Sequence, residues 1–218
     1  LNVVQTDGKG QFVLPGYEKE KFVFITVPSG YKAVYDHYRK IDKSIENYDF
    51  GIVPYTVGID KRGAHKFIQI TDTEISQVQG NEEWAENLHR YSTNEKVAFI
   101  VHTGDICYEK GLKSHIKLVN TRNMDVPVYY CIGNHDLVKG KYGEELFESI
   151  YGPVYYSFDV DNVHYIVTPM AGGDYWPGYT RDDVCRWMKN DLKYVKPGTP
   201  VYVLSLIHIS EPTRHSLI

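Results

Sequence analysis

A surplus of positive charge is missing from this 218-residue sequence: 24 Lys and Arg stand against 28 Asp and Glu, for a net charge of −4. Nucleic-acid polymers and anionic lipid surfaces are gripped by clustered positive charge, so neither is an expected partner. Long apolar runs are missing too, and no stretch comes near the ~18 residues that a membrane-crossing helix needs. Cysteine is scarce. Cys107, Cys131 and Cys185 leave an odd thiol, none has C-x-x-C spacing, and they read as small buried hydrophobes rather than a disulfide framework. The chain opens at Leu1 rather than at Met, so its natural start is expected to lie upstream and the lack of a charged-then-apolar leader is uninformative. What it has in abundance is tyrosine, 19 residues, within a 42% hydrophobic composition that fills an ordinary core of one or two domains.

Three parts are expected along the chain. Residues 1–62 read as a partial, small β-sandwich. A short strand over 11–14 ends at the Pro15-Gly16 turn, one over 21–27 stops at Pro28-Ser29-Gly30, and a third runs over 48–57; residues 32–47 are polar and mixed and receive no element. The character changes at Lys61-Arg62-Gly63, and residues 63–203 alternate strand with helix. Strands are expected over 66–71, 97–102, 128–132 and 201–204, and helices over 81–92, 112–123, 144–151 and 182–194. A hairpin of 155–159 and 163–168 turns on Asp161-Asn162. This alternation with short loops predicts an α/β fold built on a layered β-sheet. Residues 204–218 form a tail.

Three polar clusters each follow an apolar strand directly. They are Asp72-Thr73-Glu74, Gly104-Asp105-Ile106-Cys107-Tyr108 and Gly133-Asn134-His135-Asp136. Open α/β sheets bind ligands outside the carboxyl ends of their strands, so Asp72, Asp105, Asn134 and His135 are expected at one edge. Carboxylates, an amide oxygen and an imidazole suit hard or borderline cations. A carboxylate can bridge two ions about 3.5–4 Å apart, the usual separation in two-metal phosphate chemistry. The plainer alternative is that each Asp only caps a helix or turn. That explains any one cluster, but explains poorly three in this order, each at a strand end.

These clusters closely resemble the calcineurin-like metallophosphoesterase superfamily, whose pattern runs D-x-H, G-D, G-N-H-D/E, a strand-end His and then G-H-x-H. The likeness spans roughly residues 64–203 and includes Tyr155-Tyr156-Ser157-Phe158-Asp159, Val163-His164-Tyr165-Ile166-Val167 and Trp187-Met188-Lys189-Asn190-Asp191-Leu192. Residues 1–60 resemble the β-sandwich that precedes some bacterial members. The resemblance implies a phosphoester hydrolase with two divalent or mixed-valence metal ions (Fe, Mn or Zn). Asp72 would bind the first, Asp105 would bridge both, and Asn134 would bind the second. His135, oriented by Asp136, would protonate the leaving oxygen or stabilise phosphoryl charge, and a metal-bound hydroxide would attack. The substrate is a phosphoester, mono- or diester.

One position departs from the pattern: Glu74 stands where the family has His. Glu74 is then a variant oxygen ligand, or its place is taken by Tyr108. The run Gly104-Asp105-Ile106-Cys107-Tyr108 resembles G-D-x-x-Y of the purple acid phosphatase branch, which implies a phenolate on ferric iron; Tyr108 packed on the site rim is the third possibility. His102 reads as a core histidine or one that supports the ligands rather than as a ligand itself, His164 as a packed strand residue, and residues 171–180, with Asp174, as a loop over the substrate. Residues 204–214 resemble translated transposase-adapter sequence, with His208 falling by accident near the expected strand-end ligand and no G-H-x-H after it. The chain is therefore expected to be truncated, to bind metal weakly and to turn over poorly. The rival reading is a noncatalytic binding module carrying a degenerate phosphoesterase domain. Export to the periplasm or cell surface is expected by resemblance to exported enzymes of this layout.

Overall fold

In a computed structural model the described residues are 2–15, 20–75, 81–170 and 175–206. Near the N-terminus lie four three-residue strands: β1 (Phe22–Phe24), β2 (Tyr31–Ala33), β3 (Tyr38–Lys40) and β4 (Ile52–Pro54). They pair antiparallel as β1–β3 and β2–β4, two separate ribbons. The expected β-sandwich is thus not confirmed, and residues 11–14 form no strand. Pro28 and Pro54 lack the N–H that a longer ladder would need. The ribbons lean on the rest of the molecule instead. Val27 makes a parallel bridge with Phe158, Tyr55 Oη donates to the Ala98 carbonyl, and Lys21 Nζ pairs with Glu144 at 3.0 Å and Glu148 at 2.7 Å.

Beyond residue 63 the alternation is as expected. The elements are β5 (Ile68–Ile70), α1 (Asn81–Glu95), β6 (Ile100–His102), α2 (Glu109–Leu118), α3 (Thr121–Met124), β7 (Val128–Tyr130), α4 (Glu145–Tyr151), β8 (Tyr156–Val160), β9 (Val163–Val167), α5 (Arg181–Asp191) and β10 (Val201–Leu204). β5, β6 and β7 form a parallel sheet in that order. β8 and β9 form the expected hairpin, with Asp161 at φ +52° in its turn, and β10 adds to β9 in parallel. The expected helix over 112–123 is two helices. Val119 is extended, and the Asn120 side chain accepts the Asn123 N–H at 3.0 Å, which starts α3 afresh. A capping box at Thr180, closed by Asp183, starts α5.

Period-two alternation along the parallel sheet sends its residues to two layers. Phe99 and Val101 join Tyr129, Phe158, Tyr165 and Val167 in a core between the two three-stranded sheets. Tyr129 and Phe158 stack there at 3.6 Å between ring centroids, 8° from parallel. Ile100 and Val128 point the other way, against Ala85 and Leu88 of α1 and Met124 of α3. No described helix is long and apolar enough to cross a membrane.

On the side of the second sheet, a buried polar chain fastens α5. His164 meets Asp159 through Nδ1 at 2.7 Å and Asp191 through Nε2 at 2.8 Å; Asp191 also accepts from Ser157 Oγ, which contacts Thr26 Oγ1. Burial works against a charged imidazole, but hydrogen bonds and charge from Asp159 and Asp191 outweigh it and push His164 up to about 9.

Candidate metal centre

The three polar clusters sit where β5, β6 and β7 end, so parallel pairing of the strands brings them to one edge. Two glycines make the approach close. A Cβ on Gly133 would collide with the nitrogen and Oδ1 of Asp105, and one on Gly104, itself at φ +113°, would stand 2.8 Å from Gly133 Cα. Strand ends this tight allow the His135 backbone N–H to donate to Asp105 Oδ1 at 3.0 Å. The His135 ring reaches back: Nδ1 lies 3.1 Å from Glu74 Oε1 and 3.7 Å from Asp105 Oδ2.

Asp105 is 1% exposed, and so is a buried carboxylate beside the His135 imidazole. Asp72 and Glu74 are exposed, while Asn134 and His135 are half-buried. Asp72, Glu74 and Asp105 all adopt left-handed backbone, with φ of +50°, +40° and +49°. Asp136 is wholly buried and works on backbone: its Oδ1 accepts Cys107 N–H at 3.0 Å and its Oδ2 accepts Gly133 N–H at 2.8 Å. Burial pushes its carboxyl up to about 6, against the pull of those N–H groups. Tyr108 is 54% exposed and stacks on the His135 ring, 4.9 Å between centroids and 20° from parallel. The two rings share a shallow groove of about 280 Å³ with Glu109, Leu137, Val138 and Tyr175.

A hydrogen-bonded group whose partners are not readable from the sequence lies under this edge. His102, fully buried, lies against Thr73 and Gly104; His115, also buried, meets it edge-on at 5.2 Å. Burial, then the neighbouring His115, hold the His102 ring well below the ordinary histidine range, so it is neutral. The signal available was its place three residues before Asp105 on a buried strand. Leu206 is buried and would touch a Cβ at either Gly104 or Gly133. Asp174 and His208 lie outside the described residues.

The donor set fits a cation by its chemistry. A buried carboxylate calls for compensating charge, and carboxylate plus amide oxygens are hard donors suited to divalent ions. Among the described residues no three His, Cys, Asp or Glu side chains close into a ligand cage. Parallel strands that end in two carboxylates, an amide and an imidazole define the layout of a metal-assisted hydrolase. The chain belongs to the calcineurin-like phosphoesterase family, whose model matches residues 65–208, well over half of its length. It is accordingly a metal-dependent phosphoester hydrolase by family. No curated protein matches the sequence.

Proposed function

We propose that the chain hydrolyses phosphoesters with two metal ions, which Asp72, Asp105 and Asn134 would hold. The observation that carries this reading is the meeting of three parallel strand ends, with the His135 N–H on Asp105 Oδ1 at 3.0 Å. Glu74 is a further oxygen donor, and Tyr108 a phenolate donor if one ion is ferric iron. Bound cations would supply Lewis acidity toward the phosphoryl oxygens and make water acidic enough to attack at neutral pH.

The chain's own side chains do the rest. Glu74 holds Nδ1 of His135 with its proton, which leaves Nε2 as the atom that gives a proton to the leaving oxygen. Asp136 fixes the loop beneath by accepting two backbone N–H bonds, one from each side of the strand pair. Asp105 orients the His135 backbone and so the ring.

Metal analysis together with a visible spectrum of the purified chain tests the reading. Two metals per chain with a tyrosinate charge-transfer band would support Tyr108 as an iron ligand. Two metals without the band would keep the phosphoesterase and remove Tyr108 from the ligand set. No uptake of Fe, Mn or Zn by this chain or by a version extended to a natural C-terminus would overturn the binuclear centre and favour the noncatalytic module.

A further inference from the structure

We propose that His102 is a positioning residue, a neutral imidazole fixed in its Nε2–H tautomer, that locks the loop carrying Asp72 to the loop carrying Asp105 through the Thr73 hydroxyl. The tautomer follows from the partners. The Gly104 backbone N–H points at Nδ1 at 3.3 Å, and a backbone N–H only donates, so Nδ1 is the acceptor and the ring proton sits on Nε2. Nε2 lies 2.9 Å from Thr73 Oγ1, and Thr73 Oγ1 in turn gives its single proton to the Ile106 carbonyl at 3.0 Å. The direction is therefore set throughout: Gly104 N–H to Nδ1, Nε2–H to Thr73, Thr73 O–H to Ile106.

This chain of bonds closes a ring between two loops that the strand ladder no longer holds. β5 and β6 pair only as far as Ile70 and His102. Past that point Asp72 N–H donates to the Gly104 carbonyl at 3.1 Å and Ile75 N–H to the Ile106 carbonyl at 3.2 Å. Thr73 and His102 stand between those two backbone bonds, and all of the carbonyls involved belong to residues flanking Asp105. Asp72 and Asp105 are thus held at one separation, past the end of the sheet, by two backbone bonds and the side-chain bridge between them. The bridge is buried at its His102 end, so water does not compete for it there. His115 packs edge-on against the ring at 5.2 Å.

The consequence for metal uptake rests on the binuclear reading; the loop lock itself does not. The test uses the full chain as wild type, Thr73→Val and Thr73→Ser. Valine keeps the shape of threonine and removes the hydroxyl; serine keeps the hydroxyl. Long-range proton–nitrogen NMR reads the His102 tautomer, amide exchange reads Asp72 and Ile75 against β6, and calorimetric titration reads Mn²⁺ binding. We expect the Nε2–H tautomer in wild type and in Thr73→Ser. In Thr73→Val, exchange at Asp72 and Ile75 should quicken about tenfold while β6 is unchanged, and the Mn²⁺ dissociation constant should rise about tenfold, in the range found when groups that orient metal ligands are removed. A proton on Nδ1, exchange in Thr73→Val equal to wild type, or an equal rise over the whole protein would each overturn the proposal. Wild type that binds no Mn²⁺ but shows the local exchange change would overturn the metal centre and support the lock.

Discussion

Two buried histidines in this molecule sit in opposite charge states. His102, under the strand ends of the parallel sheet, has a backbone N–H, a hydroxyl and a second imidazole for neighbours and is neutral. His164, in the hairpin sheet, lies between the carboxylates of Asp159 and Asp191 and is pushed up to about 9. Both residues are buried. The comparison teaches that burial alone leaves an imidazole neutral, and that flanking carboxylates can overturn it. It also separates two kinds of work: a neutral ring with a fixed tautomer sets direction in a hydrogen-bond chain, while a charged ring fastens a helix.

The sharpest way to break the contrast is at Asp191. Asp191→Leu strips His164 of one carboxylate and Ser157 of its acceptor; loss of one partner of a buried pair costs about 3–5 kcal/mol, and scanning calorimetry at pH 6 should show a correspondingly lower Tm. Next in size is the pH dependence. Because the folded pKa of His164 lies above the unfolded value of 6.5, its stabilisation is full below pH 6.5 and disappears as pH rises through about 9. Urea titrations from pH 6.5 to pH 9 should lose on the order of 2–3 kcal/mol to this group, and Asp191→Asn should flatten that slope. His102→Leu should be milder: it leaves the Gly104 N–H without its side-chain acceptor and the Thr73 oxygen without its donor, for about 1–3 kcal/mol, and adds no pH dependence between 6.5 and 9. If it did steepen the slope in that window, the neutral assignment would be wrong. Smallest is Tyr108→Phe, which removes a half-exposed hydroxyl and should shift stability by no more than about 0.5 kcal/mol; its effect is expected in the metal spectrum alone.

The parallel sheet was legible because each of its strands is a buried apolar run that stops at an abrupt polar cluster. The same abruptness exposed Asp72, Asp105, Asn134 and His135 as a group. The N-terminal ribbons were not legible, because what orders them is remote. Val27 pairs with Phe158, 131 positions away, and no local pattern in residues 20–60 announces that bridge. Asn120 reads as one more polar residue in a helical run until its side chain is seen capping Asn123. His102 was placed in the core correctly, but its role depends on which ring nitrogen holds the proton. That is settled by the neighbouring Gly104 N–H and Thr73, three-dimensional partners with no spacing rule of their own. Tyr108 was flagged by spacing from Asp105, while its stacking on His135 follows from loops that the sequence does not shape.

The left-handed backbone at Asp72, Glu74 and Asp105 has an evolutionary corollary. Side chains other than glycine are uncomfortable there by about 1 kcal/mol, and Glu74 has less to gain than an Asp or Asn from local hydrogen bonds. Glycine at position 74 would relax the turn and delete the carboxylate that grips His135. A laboratory selection for heat resistance alone would therefore reward that change, and its winners would be sturdier proteins in which His135 had lost its carboxylate partner.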